Sequence, residues 1–92
     1  MTVRARLVIR GRVQGVWYRG AMQEQADQLG ITGWVRNRHD GAVEAEVEGA
    51  RQTLDALIAW AHRGPRSARV SEVVVEWMDP RADPEKGFEV RR

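Results

Sequence analysis

The hydrophobic residues of this chain change their spacing in a fixed order, and that order constrains the fold more than any single residue does. From Val3 to Arg10, the positions Val3, Ala5, Leu7 and Ile9 alternate with Arg4, Arg6 and Arg10, the two-residue period of a strand with one buried face. From Tyr18 to Leu29 the apolar positions Tyr18, Met22, Ala26 and Leu29 fall at helical spacing, and Gly30 stands where a helix ends on a left-handed residue. Ile31 to Arg38 and Ala42 to Glu48 alternate again, and the Asp40-Gly41 pair between them supplies the positive φ of a tight hairpin. Leu54, Leu57, Ile58 and Ala61 form a second helical stripe within Gln52 to His62, stopped by Gly64-Pro65. Arg69 to Trp77 reads as a fourth strand. Asp79 to Gly87, with two prolines and five charges, reads as a surface loop, and Phe88 and Val90 as a short closing strand.

The resulting order is β-α-β-β-α-β. Each helix must cross over right-handedly and pack on one face of an antiparallel sheet, which is the ferredoxin-like α+β sandwich. Charge arranges the strands. The outward face of the third strand is Glu44, Glu46 and Glu48, while the first two strands show Arg4, Arg6, Arg10, Arg36 and Arg38. Sheet order 4-1-3-2 sets the glutamates between the arginines, where opposite charges across strands are favourable by roughly 0.2 to 1 kcal/mol per pair. The open face of the sheet is thereby accounted for without a ligand.

A chain of 92 residues is expected to form one domain, 1–92, with a modest core and room for one site. It has no cysteine, which removes disulfides, thiolate nucleophiles and zinc-cysteine clusters and points to a reducing cytoplasm. No stretch approaches the roughly 20 consecutive apolar residues of a membrane span, and the first ten residues alternate instead of reading as a signal peptide. The expectation is a cytoplasmic protein, neither exported nor anchored, with a monomer as the default. Net charge is only +2, yet fourteen of the fifteen basic residues are arginine, which grips phosphate or carboxylate through paired donors.

The chemistry is expected between the first strand and the first helix, in Gly11-Arg12-Val13-Gln14-Gly15-Val16-Trp17-Tyr18-Arg19. Two glycines allow a tight turn and close approach to a ligand. Consecutive amides leading into a helix N-terminus gather N–H donors where the helix dipole also favours an anion. Arg19, at the helix start, is placed to fold over that cradle and hold a phosphate by two charge-assisted bonds. A glycine pair alone serves turn geometry more often than ligands. The second feature is Asn37, which by strand parity with Ile31, Gly33 and Val35 points to the helix-covered face. An unpaired amide there is costly, whereas an asparagine at a hairpin can also bond its own backbone. Parity leaves those two readings level.

Together, Gly11-x-Val13-Gln14-Gly15-Val16-x-Tyr18-Arg19 and Gly33-Trp34-Val35-x-Asn37-x-x-Asp40-Gly41-x-Val43-Glu44 resemble the two signature stretches of the acylphosphatase family. The resemblance continues through Gly64-Pro65, Ala68-Arg69-Val70 and the ending Phe88-Glu89-Val90-Arg91, so that it covers essentially the whole chain. It implies hydrolysis of the carboxyl–phosphate bond of small acyl phosphates to carboxylate and inorganic phosphate; no cofactor is expected, and the residues themselves suggest no metal. It also implies that the loop Gln14, Gly15, Val16, Trp17 and Tyr18 binds the phosphate together with Arg19, and that Arg19 and Asn37 are catalytic, Asn37 by orienting the attacking water. The departures are Trp17-Tyr18, where the family often has two phenylalanines, and Gly20-Ala21-Met22 at the helix start. They bear on substrate preference and not on the reaction.

The residues are chemically sufficient for that reaction. A mixed anhydride has a good leaving group, so the protein mainly positions water and stabilises phosphoryl charge. His39 in the hairpin and His62 at a helix end are expected to be structural or solvated. Acidic residues alternate along a strand or sit in loops instead of clustering as metal ligands do. Trp34, Trp60 and Trp77 are expected to pack, and Trp17 to flank the acyl part of the substrate. The rival readings are a single-stranded RNA-binding sheet built on Trp34, Arg36 and Arg38, which the three glutamates interrupt and no RNA-recognition signature supports, and a phosphate-sensing domain, which has no use for Asn37. No nucleic acid or membrane partner is expected.

Overall fold

The computed structural model describes residues 1–92. Its elements are β1 (Thr2–Arg12), α1 (Tyr18–Leu29), β2 (Thr32–Asn37), β3 (Val43–Ala50), α2 (Arg51–Arg63), β4 (Arg69–Met78) and β5 (Phe88–Arg91). The sheet order is β4-β1-β3-β2-β5. The inward residues of the alternating strands meet the helix stripes in one core of 19 buried residues. Ala5, Leu7 and Ile9 of β1 and Ala45 and Val47 of β3 lie under Met22 and Ala26 of α1 and Leu54 and Leu57 of α2. No helix is long and apolar enough to cross a membrane.

The β4-β1-β3-β2 part of the sheet is antiparallel, as the charge argument requires. β5, however, joins β2 in parallel, so the sheet is mixed and not purely antiparallel. The reason is the length of the connection. Residues 79–87 span at most about 30 Å when extended, and the sheet is roughly 19 Å wide over four strand spacings. The segment can cross the sheet at the end where β4 finishes but cannot also return along a strand, so β5 starts beside the start of β2.

In crossing, the segment covers part of the face expected to be open. Glu85 receives two hydrogen bonds from Arg4, at 3.1 and 3.3 Å, and Glu48 accepts the backbone N–H of Arg81. Arg4 also bonds Glu46 at 2.9 Å and Glu48 at 3.0 Å, and it has no exposed surface at all. Glu44 takes Arg6 at 2.6 Å and Arg36 at 2.7 Å. The glutamates therefore do lie between Arg4, Arg6 and Arg36. Arg10 and Arg38 instead pair with Asp40 in the hairpin, at 3.4 and 3.0 Å.

Trp60 packs in the core with its ring centroid 5.3 Å from that of Tyr18. Trp34 is buried on the opposite face under the guanidinium groups of Arg36 and Arg91. Trp77 departs from the expectation of packing. It lies on the surface of edge strand β4, with the Arg51 guanidinium 3.8 Å from its ring.

Candidate active site

Five residues, 13–17, carry the chain from β1 into α1. β1 ends on a register shift between Arg10 and Gly11. Gly11 has φ 128°, and a Cβ there would overlap the carbonyl of Arg69, so only glycine brings the strand this close to β4 as it turns away. Val13, almost fully buried, pins the loop to the core. Gly15 has φ 74°, and nothing lies within 4 Å of where its Cβ would sit; the requirement there is conformational, and the space above it is open. Trp17, at φ 64°, is the one non-glycine residue in the left-handed region. It caps α1 without a side-chain hydrogen bond, and no acidic residue stands in the first turn.

The N–H groups from Gln14 to Gly20 consequently make no hydrogen bond of good geometry to the rest of the chain. None of the eight backbone hydrogen bonds formed outside helices and strands is donated by them, and the side chains that accept from backbone N–H groups serve only Ala42 and Arg81. A row of unpaired donors at the positive end of a helix dipole is a site made for an anion. Beside it, in the first turn, Arg19 is held at one nitrogen by the carbonyl of Arg91, with Nη1 donating at 2.9 Å. Its remaining donors stay free for a ligand.

Opposite the loop, at the end of β2, stands Asn37. Its Oδ1 is buried and accepts no hydrogen bond, although nearly every buried polar group in a folded protein has a partner. Asn37, Gly15, Trp17, Tyr18 and Arg19 all line one cleft of about 380 Å3, completed by Val13, Gly20, Gln23 and Val90. Asn37 also borders a second hollow of about 500 Å3, lined by charged and polar side chains. The arginines of that hollow are largely matched, Arg6 and Arg36 by Glu44 and Arg38 by Asp40. The loop residues Gly15, Trp17, Tyr18, Arg19 and Gly20 line the first cleft and not the second.

A family model for acylphosphatase matches residues 5–90. The chain belongs to the acylphosphatase family. It is 54% identical over 89 residues to the acylphosphatase of Anaeromyxobacter dehalogenans, covering 97% of this chain and 95% of that one. It is 55% identical over 78 residues to the acylphosphatase of Thermococcus kodakarensis, covering 85% and 86%. The crystal structure of acylphosphatase from Bacillus subtilis superposes with a TM-score of 0.93 at 30% identity, over 98% of this chain and 99% of that chain.

Within this acylphosphatase fold the residues singled out from the sequence separate by what their side chains do. Trp17, Arg19 and Asn37 line the cleft. The Val16 side chain packs against the core. Tyr18 borders the cleft but is a core side chain, its hydroxyl donating to the Ala61 carbonyl at 2.7 Å; burial pushes its phenol pKa up. Gln14 turns away from the cleft, Nε2 donating to the carbonyls of Arg38 and Ala42 at 2.7 and 2.9 Å. Val16 and Gln14 therefore offer a ligand only backbone N–H groups. His39 and His62 are at the surface, and no group of three or more His, Asp or Glu side chains is placed to hold a metal ion.

Sequence reasoning missed Gln23 and Val90. Gln23 binds the Phe88 carbonyl at 3.1 Å and so ties β5 to the edge of the cleft. The two-residue spacing of Phe88 and Val90 was the available signal, since it sets Val90 on the same side of β5 as the buried Phe88.

Proposed function

We propose that the cleft holds the phosphoryl group of an acyl phosphate on the N–H groups from Gly15 to Arg19 and on the Arg19 guanidinium, while Asn37 orients the water that attacks it. Membership of the acylphosphatase family makes the reaction the hydrolysis of a carboxyl–phosphate bond. The water oxygen bonds to phosphorus as the bond from phosphorus to the acyl oxygen breaks. The bonding pair leaves with the acyl oxygen, giving a carboxylate, and a water proton passes to a phosphoryl oxygen, giving inorganic phosphate.

Asn37 is the observation that carries this reading. An unpaired buried acceptor costs stability, and this one stands across the cleft from donors that are also unpaired. A water held by the Asn37 carboxamide where it borders the cleft is turned with a lone pair toward whatever the amides and Arg19 hold. The loop and guanidinium meet the charge spread over the phosphoryl oxygens, and the carboxylate leaves without needing a proton. On this reading the enzyme needs neither metal nor cofactor. One 1–92 domain supplies every group, so a cytoplasmic monomer is sufficient, with small acyl phosphates as substrates and no nucleic acid or membrane partner.

Loss of benzoyl phosphate absorbance tests it. Wild-type protein should hydrolyse the substrate at the same rate with and without excess chelator. Arg19→Ala should cut hydrolysis by about 100-fold or more and weaken inhibition by inorganic phosphate. Activity that returns only when a divalent metal is added, or an arginine variant that phosphate inhibits as strongly as wild type, overturns the reading.

A further inference from the structure

We infer that Gln14 is a positioning residue, whose side chain fixes the distance between the phosphate loop and the water-orienting Asn37. The inference rests on the function proposed above. Gln14 directly precedes Gly15 of the loop, and Arg38 directly follows Asn37 of β2. The carboxamide spans the two segments, with both Nε2 hydrogens used, one on the Arg38 carbonyl at 2.7 Å and one on the Ala42 carbonyl at 2.9 Å.

The hairpin does not need these bonds to close. Arg38 N–H already donates to the Ala42 carbonyl at 2.8 Å, Gly41 N–H to the Arg38 carbonyl at 3.3 Å, and Asp40 Oδ1 accepts from Ala42 N–H at 3.1 Å. Each carbonyl has two lone pairs, and Gln14 takes up the second on both. What the side chain adds is a link between two segments 24 and 28 residues apart in sequence. Loop and hairpin are joined there by one side chain reaching two backbone acceptors, so the backbone that carries Asn37 cannot move away from the loop without straining both bonds. In-line attack is steep in this distance, since a misplacement of about 1 Å can cost on the order of 100-fold in rate.

The test is a double-mutant cycle on benzoyl phosphate hydrolysis, with inhibition by inorganic phosphate measured alongside. Gln14→Met keeps the length of the side chain and removes both donors. It should lower kcat about tenfold or more and leave the phosphate inhibition constant within about threefold of wild type. In an Asn37→Ala background the same substitution should have no further effect on kcat, because the residue it positions is gone. Gln14→Glu adds a second readout that a purely structural role does not move. Its carboxylate faces two carbonyl oxygens, which favour the protonated form. Its kcat relative to wild type should therefore recover as pH falls and one O–H donor returns.

A phosphate inhibition constant that rises in step with the loss of kcat makes Gln14 a phosphate ligand and overturns the inference. So do losses that multiply in the double variant, or a Gln14→Met protein with wild-type kcat. If Asn37→Ala alone keeps wild-type kcat, the proposed function fails and the role of Gln14 fails with it.

Discussion

Pro65 shows how a residue far from the cleft sets the shape of the loop. In an α-helix the carbonyl of Ala61 expects the N–H four residues on, and position 65 has none. The Tyr18 hydroxyl fills that vacancy, which draws the first residue of α1 into the core and leaves Trp17 to turn outward at φ 64°. Tyr18→Phe strands the buried carbonyl and should cost about 2 kcal/mol, seen as a fall in thermal midpoint of about 10 °C for a domain of this size. Trp17 is 62% exposed beside the cleft, and its indole lies so close to Gly20 that a Cβ there would overlap it. Stacking of the indole on an aromatic acyl group is worth about 0.5 to 1.5 kcal/mol. Trp17→Ala should accordingly lower kcat/KM for benzoyl phosphate about threefold to tenfold relative to acetyl phosphate, and an unchanged ratio removes Trp17 from acyl recognition. Strand parity aimed Asn37 toward the helix-covered face. It could not show that its oxygen is unpartnered, because that depends on which groups distant segments bring to it.

Among the elements, the two helices and the first four strands were legible to within a few residues, since their periodicities are long and uninterrupted. The segment from Asp79 to Gly87 is the surface loop that its prolines and charges indicated, with the exception of Glu85. Asp79, Arg81, Asp83 and Lys86 face solvent, but the Glu85 side chain is only 6% exposed and shares Arg4 with Glu46 and Glu48. Nothing in local sequence separates a charge that faces water from one that will meet a buried arginine across the sheet. The consequence is pH-dependent. Burial pushes the Glu85 carboxyl up, but hydrogen bonding from Arg4 and the nearby charges of Arg4 and Arg81 bring it below the ordinary glutamate range. Glu44 is depressed in the same way, with Arg36 and Arg6 outweighing its burial. Groups whose folded pKa lies below the unfolded one contribute stability above the unfolded value and lose it as pH falls through the folded value. Chemical denaturation from pH 6 down to 3 should therefore show stability falling below about pH 4.3, the ordinary glutamate value. Glu85→Gln should lower stability at pH 6 by about 2 kcal/mol and flatten that acid dependence. A variant with an unchanged slope removes Glu85 from the acid response.

For the whole molecule, alternation and charge matching together determined the sheet order through four strands. The placement of β5 depended on how far a nine-residue connection reaches, which periodicity does not record. The edges of the sheet are β4 and β5. β4 exposes Val74, Trp77 and Met78, but Glu72 and Glu76 are interspersed with them and Arg51 covers Trp77, the kind of charge that discourages edge pairing. Light scattering should therefore give the 10.5 kDa mass of one chain, and a concentration-dependent doubling contradicts the monomer. The site was half legible. The loop and Arg19 could be read from glycine spacing and helix onset, while the side-chain roles of Gln14, Gln23 and Tyr18 are long-range and required coordinates. The account as a whole turns on the division of labour between loop and asparagine. The most direct measurement is the kcat for benzoyl phosphate and the inhibition constant for inorganic phosphate of Asn37→Ala beside wild type. The account predicts a kcat lowered by about 100-fold or more with the phosphate inhibition constant essentially unchanged. A kcat close to wild type, or a loss of phosphate binding that matches the loss of rate, contradicts it.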